Sequence, residues 1–103
     1  MSIALMVEKV DGVKNTDYLP ISGQKFFIEK WVPLCDQYNL KLIPLFQTGF
    51  TFTEKDLPIL LSELEILKVN IREDEAVYLR ERIDLLLDKL KTLTGHEVNI
   101  FIG

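Results

Sequence analysis

Leu79, Ile83, Leu86, Leu87, Leu90 and Leu93 recur at the spacing of one face of an α-helix, and Arg80, Arg82, Asp84, Asp88, Lys89 and Lys91 take the other face. No other stretch constrains the fold as tightly. A helix that is apolar on one side only must lay that side on a sheet or on another helix. The pattern predicts a helix from about residue 73 to 94, ended by Gly95. Asn70 and Glu73 have the spacing of a capping box. Glu73, Asp74 and Glu75 put negative charge at its positive end and also offer an acidic surface to a basic partner.

A second helix is predicted after Thr53, running to about Val69. Thr53 and Asp56 have the spacing of a capping box, with Asp in place of the usual Glu or Gln, and Pro58 falls in the first turns, where proline is tolerated. Leu57, Leu60, Leu61, Leu64 and Leu67 form one stripe, and Ile59, Ile66 and Val69 form another. Two stripes need cover on two sides: the helix lies between a sheet and a helix, or it meets a second subunit. An earlier helix is predicted over 23–39, with Ser22 as N-cap and Phe27, Trp31, Leu34, Cys35 and Tyr38 on its inner face. Pro33 lies inside it, so it must kink near Glu29 or break into two pieces.

The remaining apolar runs read as strands. Residues 2–8 are continuously apolar enough for a strand covered on both faces. Residues 40–46 read as a second strand, with Pro44 favouring an edge or bulge. Phe50-Thr51-Phe52 reads as a short third strand with both rings on one side, and residues 97–102 alternate as a last strand. Residues 10–21, with Asp11-Gly12, Asn15, Asp17 and Pro20, read as a loop. The expected order is β-α-β-(β)-α-α-β. This predicts one domain over 1–103, of α/β or α+β class, with a small three- or four-stranded mixed sheet and about three helices mainly on one face.

Composition narrows the functional classes. A chain of 103 residues that is 48% hydrophobic and 27% charged has globular composition with room for a single core. The net charge is −4 and the lysines are dispersed, so nucleic-acid binding is not expected. Ile3 to Val7 is too short to span a bilayer, and a lone cysteine gives no disulfide framework. The expectation is a cytoplasmic protein that engages no membrane.

One histidine, His96, and one cysteine, Cys35, are a thin supply for a metal centre or a catalytic triad. The glycines never cluster into a phosphate loop. His96 follows Gly95 in a turn and reads as an ordinary exposed histidine. Cys35, on an apolar helix face with Asp36 beside it, reads as a buried, unreactive thiol. No catalytic residue, metal or cofactor is expected. Phe26 and Phe27 are adjacent on one helix and cannot both face one core. Phe26, with Ile59, Ile66 and Val69, is therefore the expected partner-facing surface.

Leu19-Pro20-Ile21-Ser22, Phe26, Trp31-Val32-Pro33, Leu40, Phe46, Gly49, Asp56-Leu57-Pro58, Glu63-Leu64 and the run Ile100-Phe101-Ile102-Gly103 resemble a group of small bacterial proteins without assigned activity. In size and acidity the chain is also similar to bacterial immunity proteins, which bind and block a toxin. That resemblance implies a non-enzymatic interaction module, possessing an acidic, partly aromatic surface and engaging a protein partner or forming a homodimer. Two alternatives stand beside it. One is a small enzyme or ligand-binding domain with a pocket near Tyr18, Trp31 and Tyr38. The other is a purely self-associating structural protein.

Overall fold

The computed structural model describes residues 2–10, 13–14, 18–71 and 77–103, without the side chains of residues 9, 10, 13 and 14. The acidic set Glu73, Asp74 and Glu75, and with it the Asn70–Glu73 capping box, lies outside the described residues.

The fold is α+β. β1 (Ser2–Val10) is central. β2 (Val13–Lys14) and β3 (Tyr18–Gly23) pair with successive stretches of one of its edges, β5 (Val98–Ile102) pairs with the other edge, and β4 (Phe50–Thr53) pairs with β5. The sheet is four strands wide. Every ladder is antiparallel rather than mixed. The difference originates in residues 10–21, expected as a loop. Val10 pairs with Val13, which leaves Asp11-Gly12 between paired positions, the spacing of a strong two-residue hairpin signal. The chain returns directly along β1 and needs no crossover.

Residues 24–37 form α1. Phe27–Trp31 are a π-turn between α-helical pieces Gln24–Phe26 and Val32–Gln37. The Val32 N–H donates five residues back, to Phe27 O. Pro33 has no N–H to donate, and its ring would crowd the Glu29 carbonyl in a regular helix. Widening the turn by one residue resolves the conflict, and this π-turn interrupts the α-helical pattern around Glu29, where the sequence predicts a kink or a break. Ser22 does not cap α1, because its Oγ donates to Gly23 O.

Residues 40–46 do not form the expected strand. Ile43–Gln47 are a 3-10 turn with Pro44 in its first turn. The cause is Glu63, which is buried on α2 (Leu57–Val69). Its carboxylate accepts from the backbone N–H groups of Lys41 (3.2 Å), Leu42 (3.0 Å) and Ile43 (3.1 Å). A strand points successive N–H groups in opposite directions. Three converging on one carboxylate require a curled backbone.

α3 (Val77–Leu93) buries Leu79, Ile83, Leu86, Leu87, Leu90 and Leu93, the stripe read from the sequence. α2 buries Leu57, Leu60, Leu64 and Leu67. Between α2 and α3, Lys68 meets Asp84 at 2.7 Å and Lys91 meets Glu65 at 3.8 Å. The helices lie on the sheet face that carries Ile3, Leu5, Val7, Phe52, Val98, Ile100 and Ile102, and these side chains form one core with Phe27, Trp31, Cys35 and Phe46. An aromatic series runs through it: Trp31 to Phe27 (5.3 Å), Phe27 to Phe46 (6.0 Å), Phe46 to Phe52 (5.8 Å) and Phe52 to Phe50 (5.0 Å) between ring centres. The Trp31 indole N–H is buried with no hydrogen-bond partner among the described residues. No described helix is long and apolar enough to cross a membrane.

Both sheet edges are blunted. On β3, Pro20 carries no N–H, which is tolerated at an edge, and Arg82 of α3 donates to the carbonyls of Pro20 and Ile21. On the other side, Ala4 and Gly103 exchange both backbone hydrogen bonds (3.2 and 3.1 Å). That phase turns Phe50 and Phe52 toward β5 and the polar backbone groups of Thr51 and Thr53 outward. Those of Thr53 are taken by Asp56: Thr53 N–H donates to Asp56 Oδ2 (3.0 Å) and Asp56 N–H to Thr53 O (2.9 Å). On this side Thr51 presents a free stretch of edge, too short to template another strand.

Candidate functional site

With the helices on one face of the sheet, the described residues leave the other face without a covering helix. Residues directly opposite one another in antiparallel strands project to the same face. Tyr18 lies opposite Met6, Met6 opposite Phe101, and Phe101 opposite Thr51, which makes one row across all four strands. Two residues along each strand, Pro20, Ala4, Gly103 and Gly49 make a second. None of these eight side chains is charged. Tyr18 is 59% and Met6 41% exposed, Pro20 is exposed and Phe101 half-buried. β1 is thus covered on one face only, although its unbroken apolar run had suggested cover on both.

The second row is built from small residues, and at Gly103 and Gly49 the Phe101 ring lies over it. A methyl group on Gly49 would come within 2.8 Å of Phe101 Cζ, and one on Gly103 within 2.9 Å of the same atom. The Phe101 ring therefore lies on the backbone of two glycines, and Gly49 has φ +90°, a conformation other residues adopt only with strain. Met6 and Tyr18 stand out beside this platform.

The pocket expected near Tyr18, Trp31 and Tyr38 is not assembled. Tyr18 is on the uncovered face, Trp31 is buried in the core, and Tyr38 is half-buried at the end of α1. Of the residues expected to face a partner, Phe26 is half-buried and packs edge-on against Tyr78 (5.1 Å), and Ile66 is half-buried against the core. Ile59 and Val69 are exposed on α2.

Cys35 is fully buried, and its thiol is pushed up to about 12, first by burial and then by the nearby carboxylates of Glu63 and Asp36. Both effects oppose thiolate formation. His96 lies in an open cleft of about 360 Å³ with Glu54, Thr94 and Glu97, above Leu57 and Pro58. No group of three or more His, Cys, Asp or Glu among the described residues is arranged to hold a metal ion. A second shallow groove, of about 540 Å³, runs along Gly23, Gln24, Lys25, Ile28 and Glu29.

Sequence reasoning missed Glu63, Met6, Pro20 and Phe101. Glu63 had a signal: it is a carboxylate three residues after Leu60 and four before Leu67, inside the apolar stripe. The uncovered face had none, because an apolar strand reads alike whether one or both of its faces are packed. Compared with protein-family models, with curated proteins and with solved structures, the chain has no match in any of the three.

Proposed function

We propose that this protein is a non-enzymatic interaction module that docks another protein surface through the uncovered face of its sheet. One observation carries the reading: two uncharged rows spanning four strands, with Met6 and Tyr18 protruding, on a sheet whose two edges are blunted. Apolar surface of this kind, contiguous and rimmed by polar residues, characterises protein contact sites. The absence of charge in the rows and the net charge of −4 favour protein over nucleic acid as the partner. A partner blocked on contact, as the likeness to immunity proteins implies, is one role such a surface serves.

A photo-crosslinking residue placed at position 6 or 18 tests this in cells that make the protein. The expected result is a discrete protein adduct from both positions and none from position 59 on α2. Adducts from position 59 alone, or from no position, would move the docking surface elsewhere or remove it.

A further inference from the structure

We draw no further inference here: the strongest candidate, the apolar stripe on the solvent side of α2 where exposed Ile59 and Val69 flank half-buried Ile66, is an unpartnered helix face, and nothing in the structure shows what covers it.

Discussion

Glu63 carries more of this fold than any other polar residue. Its carboxylate holds three consecutive backbone N–H groups of the 41–43 turn and so ties α2 to the segment before β4. Leaving buried donors unpaired costs about 1–3 kcal/mol each where water cannot replace the acceptor. Glu63→Ala should therefore lower the unfolding free energy by about 2–4 kcal/mol in denaturant melts, and Glu63→Gln, which keeps one acceptor oxygen, by less. Cys35 yields a pH prediction. Its thiol is raised from 9.0 to about 12 in the folded protein. Between those values the unfolded chain releases a proton that the folded chain keeps, so stability falls as pH rises above about 9, while below that pH the contribution is constant. Comparing the pH dependence of urea midpoints for wild type and Cys35→Ala isolates this slope: the wild type should lose stability more steeply above pH 9. The same thiol should resist alkylation under native conditions at neutral pH.

At the scale of elements, α3 is the clearest case of pattern becoming packing. Its six apolar positions are all buried, while Leu85, off the stripe, is 44% exposed. Leu86→Ala should cost about 2–5 kcal/mol and Leu85→Ala under about 1 kcal/mol, measured by chemical denaturation. Equal effects would mean that the wrong face had been assigned. The ion pairs Lys68–Asp84 and Lys91–Glu65 join α2 and α3 at partly exposed positions and contribute little. α1 shows how one residue reshapes an element without ending it: Pro33 converts a regular helix into one with a π-turn, and Phe27 and Trp31, which bound that turn, both stay in the core.

For the whole molecule, the central contrast is between sealed edges and an open face. Arg82 reaches from α3 to two carbonyls on the β3 edge and also lies 5.9 Å from the centre of the Tyr78 ring. Arg82→Ala removes both contacts. We expect a stability loss of about 1–3 kcal/mol together with faster aggregation on mild heating, followed by turbidity, because the β3 carbonyls become available to another chain. A variant that loses stability without aggregating faster would show that Arg82 acts as a staple and not as an edge guard. Met6 and Tyr18, by contrast, protrude from the open face, and this makes that face the place to look for a partner.

Local pattern determined α2, α3, β4 and β5, because a stripe at helical spacing or a short alternating run can be buried in only one way. It also determined that Phe27 and Cys35 face inward and that helices cover one side of a small sheet. Tertiary structure decided the rest. Residues 40–46 are apolar enough for a strand, but a carboxylate twenty-odd positions later draws their N–H groups together. Residues 10–21 are rich in turn formers, yet an unsatisfied edge of β1 recruits part of them as β2 and β3. Which residues the uncovered face carries is also decided only in three dimensions. Which side of an apolar strand meets helices depends on how many helices the chain has and where they can reach, and no local spacing encodes that count.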